Sequence, residues 1–448
     1  MSVSGLTHGS VSKSYIHFLV PTIIGMISHS VYCMSDVFFI SYGVGSTGLA
    51  ALNIAMPIFT IFSSIGLLLG VGAATTISVF NGQQQYDDTN RVFTLAMALN
   101  LAIGILLSIL CTVFVVPISK AFGANQELLP YVVDYMLPIG IGAFAYLLSS
   151  QMQVLVRADY NPKLVMIAST TGNVLNIVLD YVFVVLLKGG MRGAAVATSI
   201  GPLVSVGILA LHFITKSNRV SFVKHFFSPQ LLGRILANGA GTFILEFTSG
   251  MVIFLYNFVL LGLGGAGAVA IYSVISNIAY VGKGIFNGIA QAAQPLISTN
   301  FGAKLYQRVE RANRCSVLSS LVFAAVVYGV ILLFPQEITA VFLADSPGLV
   351  ESGAAATVIY FSSFVFTGVN TSMMYYFQSI EKPVFTTMIA VTRGIALIIV
   401  GLIVFPPFLQ ETGVWVTLAF AEVATFLAFI PVRWRVKKQL GEGVKEEA

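Results

Sequence analysis

Twelve long apolar runs restrict the structures that this chain can form more than any other feature of its sequence. A helix of about 20 apolar residues is long enough to cross the hydrocarbon core of a bilayer. We therefore expect an all-α membrane protein with twelve transmembrane helices. The runs lie near residues 15–42, 49–80, 92–117, 127–156, 163–187, 191–214, 232–262, 267–300, 313–334, 350–379, 383–404 and 411–436.

The composition excludes a water-soluble protein. Hydrophobic residues make up 57% of the chain and charged residues only 9%, so a soluble fold would expose large apolar areas. No small-residue cleavage site follows the first apolar run, and we expect the first helix to be retained. The three cysteines, Cys33, Cys111 and Cys315, sit in separate runs without metal-ligand spacing, so we expect buried free thiols.

The distribution of basic residues predicts the orientation. Of the 23 lysines and arginines, all but five fall at the two termini or in the loops that lead from even to odd helices. By the positive-inside rule both termini are cytoplasmic, and the protein is expected in the cell inner membrane. The net charge of +5 thus reflects topology, and no nucleic-acid partner is expected.

The two halves of the chain resemble each other at an offset of about 220 residues. Gly82 corresponds to Gly302, and Pro162 corresponds to Pro383. Six helices per repeat give both halves the same orientation, which predicts two six-helix lobes around a central cavity. We expect the N-lobe to comprise residues 1–220 and the C-lobe residues 221–448.

Polar residues in three helices of the N-lobe predict a cation-coupling site. Asn173, Asn176 and Asp180 are spaced i, i+3 and i+7, so they share one face of the fifth helix. Asp180, Asp36 of the first helix and Thr198 of the sixth all lie about 9–10 Å from the outer ends of their helices. The corresponding position of Asp180 in the C-lobe is a glycine, so the fold itself does not require the carboxylate.

This set of residues has two chemical interpretations, which the sequence leaves open. Carboxylate, amide and hydroxyl oxygens are hard ligands, so Asp36, Asn176, Asp180 and Thr198 are a possible Na⁺ site. Alternatively, two carboxylates in a medium of low dielectric cannot both stay ionised, so one of them can load and release a proton. A hydrogen-bonded pair that merely joins helices is the structural alternative.

Other charged residues within the predicted helices are secondary candidates. Glu246 and Asn257 are eleven residues apart on one face of the seventh helix, and Lys283 of the eighth helix lies at a depth similar to that of Glu246. These three residues fit either a substrate cavity or, for Glu246 and Lys283, a structural ion pair. Arg393 and Glu422 lie at similar depth in adjacent helices, and we expect a structural pair there.

Four segments together resemble the multidrug and toxic compound extrusion (MATE) transporters, most closely their prokaryotic DinF-type branch. They are PTIIGMISHSVYCMSDVFFISYGVGSTGLAALNIAMPI, VRADYNPKLVMIASTTGNVLNIVLDYVFV, GAAVATSIG and ILEFTSGMVIFLYNFVLLGLGGAGAVAIYSVI. The resemblance runs from about residue 15 to residue 436. It implies a twelve-helix antiporter that expels bulky, often cationic, organic compounds in exchange for Na⁺ or H⁺.

The resemblance also implies roles for individual residues. Asp36 matches the family's first-helix aspartate, and Asn176, Asp180 and Thr198 match its N-lobe cation site. Glu246 matches an acidic residue that is functional in another branch. The tenth-helix aspartate of that branch has no counterpart in YFSSFVFTGVNTSMMYYFQS, so a C-lobe cation site is not expected.

We therefore expect a monomeric, non-enzymatic secondary antiporter that works by alternating access. Its partners are small organic substrates, the bilayer and the transported Na⁺ or H⁺, with no further cofactor. One rival is an exporter of lipid-linked precursors or metabolites from the same superfamily, which would need a strongly basic cavity for pyrophosphate. A channel or a non-transporting membrane receptor is the other, and saturable, gradient-dependent flux distinguishes an antiporter from both.

Overall fold

The computed structural model describes residues 3–343 and 347–446, and within these ranges it consists of helices, turns and loops with no β-strand. Two helices, Pro162–Asp180 and Pro383–Val391, begin at the prolines that the sequence repeat pairs, because proline suits the first turn of a helix. The first nine helices are α1 (Val3–His8), α2 (Val11–Val44), α3 (Ser46–Gly82), α4 (Tyr86–Val113), α5 (Val115–Ala121), α6 (Leu129–Ile141), α7 (Ala143–Ala158), α8 (Pro162–Asp180) and α9 (Gly190–Ile214). The others are α10 (Pro229–Gly302), α11 (Tyr306–Leu333), α12 (Pro335–Phe342), α13 (Val350–Phe361), α14 (Phe364–Ser379), α15 (Pro383–Val391), α16 (Leu397–Val404), α17 (Pro406–Leu409) and α18 (Glu411–Glu446). Two π-helical segments follow α8 and α15, at Tyr181–Leu186 and Thr392–Ala396, and a short 3₁₀ turn, Pro347–Leu349, precedes α13.

The twelve predicted spans are confirmed. Ten helices in the described part of the chain are long and apolar enough to cross a membrane, and α6 with α7, bent by 55°, gives an eleventh span. The 74-residue helix α10 contains non-helical backbone at Gly265, with φ 64° and ψ −152°, and is two helices joined at that residue. Dividing α10 there restores the seventh and eighth spans, so the sequence boundary between 262 and 267 is where the chain turns.

The repeat seen in the sequence is also present in the backbone. At four loops of each half, a residue with positive φ has a counterpart in the other half, and the matched residues are 220–222 positions apart. Glycine fills the first of these positions in both halves, where the left-handed conformation carries no Cβ penalty. The matched pairs are Gly45 and Gly265, Gln84 and Lys304, Tyr160 and Glu381, and Lys188 and Gln410.

The lobes touch through the ends of α3 and α10 that lie far from the turns at Gly45 and Gly265. A Cβ added to Gly82 or Gly302 would lie 2.1 Å from a carbonyl oxygen of the opposite helix, and one added to Gly72 or Gly239 would lie 2.0 Å away. Backbones can approach this closely only where side chains are absent. We call this region, which contains the four glycines, the closed end.

Hydrogen bonds reinforce the closed end. Asn238 Nδ2 donates to Thr76 Oγ1 at 3.1 Å, and Gln294 Nε2 donates to Thr75 Oγ1 at 2.8 Å. Arg157, which we expected among the loop charges, is instead buried and donates to Gln291 across the lobes.

The opposite halves of the same helices carry exposed polar side chains. Asn53 of α3 and Ser273 and Asn277 of α10 are exposed there, although the sequence around them is apolar. Polar side chains exposed at this depth face an aqueous space more favourably than lipid, because contact between polar groups and hydrocarbon is costly. The central cavity between the lobes is therefore open on the side of Gly45 and Gly265.

The connector 215–228 between the two halves is fixed to the N-lobe. His212 Nε2 lies 2.7 Å from Asp159 Oδ2 in a buried hydrogen bond, and the backbone N–H of Arg219 donates to the same Asp159 oxygen at 2.9 Å. The backbone N–H of Ser221 donates to Asn90 Oδ1 at 2.7 Å.

Candidate functional site

Asp36, Asn176 and Thr198 form a hydrogen-bonded group inside the N-lobe. Thr198 Oγ1 of α9 donates to Asp36 Oδ1 of α2 at 3.3 Å, and Asn176 Nδ2 of α8 donates to Thr198 Oγ1 at 3.5 Å. Tyr135 Oη of α6 donates to the other Asp36 oxygen at 3.3 Å. All four side chains are at least 95% buried. Four helices therefore meet at one polar group in an otherwise apolar lobe.

Asp180 lies at the same group and has no hydrogen-bond partner. Its side chain is fully buried, and neither carboxylate oxygen is paired. Asn176 Oδ1 is unpaired as well. A buried carboxylate without a partner is strongly unfavourable, so it needs either a bound cation or a proton.

Close packing of α8 against α9 brings these side chains together. A Cβ on Gly172 would lie 2.8 Å from Gly201 O, and a Cβ on Gly201 would lie 3.1 Å from Gly172 O. The helix backbones are thus in contact one turn below Asn176. Directly after Asp180 the chain widens into the π-helix Tyr181–Leu186, a feature that often occurs at functional sites.

The structure places Asn173 apart from the other predicted members. Its Nδ2 donates to Ser28 Oγ of α2 at 3.2 Å, toward the opposite end of the lobe from Asp180. Tyr135 joins the group, although the sequence analysis did not identify it. No pattern in the sequence marks this tyrosine, because a lone tyrosine in an apolar run is ordinary.

The donor set fits a small hard cation or a proton and does not fit a transition metal. Its members supply oxygen atoms from two carboxylates, one amide and two hydroxyls, and such oxygens are the ligands of alkali and alkaline-earth cations. No group of three or more His, Cys, Asp or Glu side chains with metal-binding geometry exists among the described residues. The three cysteines are free as expected, although only Cys111 is buried and Cys33 and Cys315 are partly exposed.

The C-lobe has no room for an equivalent group. Gly401 occupies the position that corresponds to Asp180, and a Cβ there would lie 2.7 Å from Thr417 Cγ2. The Thr417 side chain therefore fills the space that Asp180 occupies in the N-lobe. The difference between the lobes seen in the sequence has a packing cause.

Arg393 and Glu422 lie in the C-lobe as a buried ion pair, with Arg393 Nη2 2.7 Å from Glu422 Oε1. Arg393 also donates to Thr371 Oγ1 at 2.9 Å, and Asn370 Nδ2 donates to Glu422 Oε2 at 2.7 Å. Both charges are therefore neutralised and hydrogen-bonded, which is the condition for burying an ion pair.

Glu246 and Lys283 do not form the ion pair that was one of their two interpretations. Neither side chain has a salt bridge or hydrogen bond to any residue in the described ranges, and both are half-buried. Asn257 is also half-buried, and its Oδ1 is unpaired. His29 Nε2 lies 3.4 Å from Tyr280 Oη and 3.8 Å from Cys33 Sγ, so these residues make a second polar cluster between the lobes.

Known proteins resemble this chain over most of its length. The MatE family model matches residues 21–182 and 240–404, more than half of the chain. The multidrug export protein MepA of Staphylococcus saprophyticus is 24% identical over 434 residues, covering 96% of this chain and 95% of that protein. MepA of Staphylococcus haemolyticus is 26% identical over 426 residues, covering 94% and 93%.

Solved structures show the same fold. An outward-facing multidrug resistance MATE family transporter superimposes with a TM-score of 0.91 at 23% identity, covering 98% of this chain and 99% of the other. A transporter of the same superfamily from Pyrococcus furiosus, described as having a binding pocket of reverse polarity, gives the same TM-score, identity and coverage.

Proposed function

The chain belongs to the MatE family of multidrug efflux transporters, and from this premise we propose that it is a cation-coupled antiporter with its coupling site at Asp36 and Asp180. The observation that supports the proposal is the pair of unpaired Asp180 oxygens, buried beside Asp36, Asn176 and Thr198. An apolar residue in place of a buried, unpartnered carboxylate would make the folded protein more stable. The presence of the carboxylate therefore indicates a functional role.

Coupling requires that cation and substrate favour different states. In our proposal the state with the cavity open outward binds Na⁺ or H⁺ at the N-lobe group and then releases the organic substrate. Alternating access follows if the closed end opens while the outer halves approach each other, a motion in which each lobe stays rigid. The cation then shifts the equilibrium by its difference in affinity for the two states.

The Asp36–Tyr135–Thr198 hydrogen bonds suggest how the cation acts on the lobe. These side chains come from α2, α6 and α9, so a cation that draws Asp36 and Asp180 together changes the relation of α2 to α8. Helix α2 also contacts the C-lobe, because His29 of α2 lies next to Tyr280 of α10. A shift of α2 would therefore alter the contact between the two lobes.

We place the lobe boundary at residues 220 and 221, within the connector 215–228, and both termini in the cytoplasm. The basic residues at the closed-end loops support this orientation, and the protein would act as a monomer in the inner membrane. The closed end then faces the cytoplasm, which makes the described conformation outward-open.

The cavity charges disfavour an exporter of lipid-linked pyrophosphates. Among the buried basic residues inside the described spans, Arg393 is neutralised by Glu422 and Arg157 is bonded to Gln291 at the closed end, which leaves the half-buried Lys283. A diphosphate group would need several basic partners.

Dye efflux from proteoliposomes tests the proposed function. Rhodamine 123 efflux is measured under an imposed Na⁺ gradient, or under a pH gradient, in wild type, Asp180→Asn and Asp36→Asn. We expect one gradient to drive efflux in wild type and both variants to lose at least 90% of it. Asp134→Asn is the matched control, because Asp134 is an exposed carboxylate in the same lobe. Gradient-driven efflux at the wild-type rate in both site variants would contradict the proposal.

A further inference from the structure

Two opposite charges lie at equal depth on the two arms of α10. Glu246 is 19 residues before the turn at Gly265, and Lys283 is 18 residues after it. Both are therefore about 28 Å along their arms from the turn, near the middle of the membrane. Equal depth on neighbouring antiparallel arms is where an ion pair would be expected to form, yet no salt bridge joins them.

Glu246 faces the N-lobe, and Lys283 lies at the boundary between the two lobes. Glu246 lies seven residues after Gly239 and four before Gly250, and these two glycines contact α3. Lys283 lies three residues after Tyr280, whose hydroxyl contacts His29 of α2, and eleven before Gln294, which bonds to α3. The two charged side chains thus point into the central cavity just beyond the closed end.

Neither charge is neutralised by the protein. The charged groups nearest to Lys283 are Glu422 and Arg393, but Glu422 already carries its full partner in Arg393. Glu246 has only His29 close enough to affect it electrostatically, together with the hydroxyls of Tyr280 and Tyr375. Unpaired charges at this depth are costly, so their separate exposure to the cavity points to a ligand with charges of its own.

We propose that Glu246 and Lys283 form a two-headed substrate site that prefers zwitterionic organic compounds. The carboxylate of such a compound binds Lys283, and its ammonium or iminium group binds Glu246. The Tyr280 ring is 51% exposed, lies about one turn before Lys283 on the same helix arm and is close to Glu246, so it supplies a flat surface for an aromatic body. This inference rests on the proposed export function and names its substrate class.

The site implies a specific pattern of discrimination. A cationic compound without a carboxylate pairs Glu246 but leaves Lys283 without a partner, which forgoes a charge-assisted hydrogen bond. A site that contains a buried polar group rejects analogues that fail to satisfy it. The ester of a zwitterion should therefore bind more weakly than the zwitterion itself.

A matched pair of dyes tests this pattern. Rhodamine 110 is a zwitterion, and rhodamine 123 is its methyl ester, a cation of nearly the same shape. The dissociation constants of both are measured by fluorescence polarisation with full-length protein in detergent. We expect wild type to bind rhodamine 110 at least tenfold more tightly. Lys283→Gln should abolish that preference, Lys283→Arg should retain most of it, and Glu246→Gln should weaken both dyes.

The outcomes separate this inference from the proposed function. Equal weakening of both dyes in Lys283→Gln, no change in either dye, or a wild type that prefers rhodamine 123 overturns the two-headed site. Any of these results leaves gradient-driven efflux of rhodamine 123 as an independent finding. Conversely, loss of gradient dependence with the dye preference intact would overturn the coupling proposal alone. Thermal unfolding of each variant shows that the binding changes are not due to misfolding.

Discussion

Asp180 could be identified as unusual from the sequence, because a carboxylate in an apolar run is costly and its repeat partner is Gly401. Its depth relative to Asp36 and Thr198 could be predicted as well, since helix rise fixes it. Tyr135 could not be identified, because its contact with Asp36 depends on how α6 is placed against α2. Likewise, equal depth suggested a pair between Glu246 and Lys283, but depth does not determine the direction in which a side chain points.

Tyr135→Phe tests whether the tyrosine holds Asp36 in place. The substitution removes one hydrogen bond to a charged group, which contributes about 1.5–3 kcal/mol. We expect the cation concentration that half-saturates dye efflux to rise about tenfold or more, with maximal efflux reduced much less. Tyr131→Phe is the control, since Tyr131 is an exposed tyrosine one turn away on the same helix. An unchanged half-saturating concentration in Tyr135→Phe would remove the tyrosine from the site.

At the scale of elements, most helices were predictable because apolar length defines a span. The exceptions have local causes. The turn at Gly265 is so tight that α10 continues almost without a loop, and the bend between α6 and α7 divides a single apolar run. The π-helical segments after α8 and α15 leave no recognisable signal, because they insert one residue per turn without altering composition.

The Arg393–Glu422 pair joins the eleventh span to α18 and should be structural. Breaking a buried pair from one side leaves an uncompensated charge, at a cost of about 3–5 kcal/mol. We expect Arg393→Met to lower the thermal unfolding temperature strongly and Arg393→Met with Glu422→Gln to recover much of the loss. Both dyes should still bind the double variant. A double variant less stable than the single one would show that the two residues act independently.

At the scale of the whole molecule, the repeat predicted two lobes, but the glycines at which their helices approach each other were identified only in the structure. The sequence could not predict that the lobes meet at one end only. In our proposal, that depends on a balance between two conformations of similar energy that are both built from the same helices.

The closed end provides a test of this conformation. Gly82→Val places side-chain atoms where the backbone of α10 lies, so the closed end cannot form. In a background without Cys33, Cys111 and Cys315, we expect a cysteine at Thr75 to react faster with a membrane-impermeant maleimide applied from the cytoplasmic side. Gly207→Val is the control, because that glycine has no atom within 4 Å of an added Cβ. Equal labelling in the two variants would argue against the closed end as the cytoplasmic barrier.

The central claim is that Asp180 couples cation entry to substrate exit. The most direct measurement is cation uptake driven by an outward rhodamine 123 gradient in proteoliposomes, with ²²Na⁺ uptake and lumenal acidification recorded in parallel. We predict that wild type takes up one of the two cations in step with dye exit. Asp180→Asn should bind the dye and show no coupled uptake. Coupled cation uptake at the wild-type rate in Asp180→Asn would contradict the account.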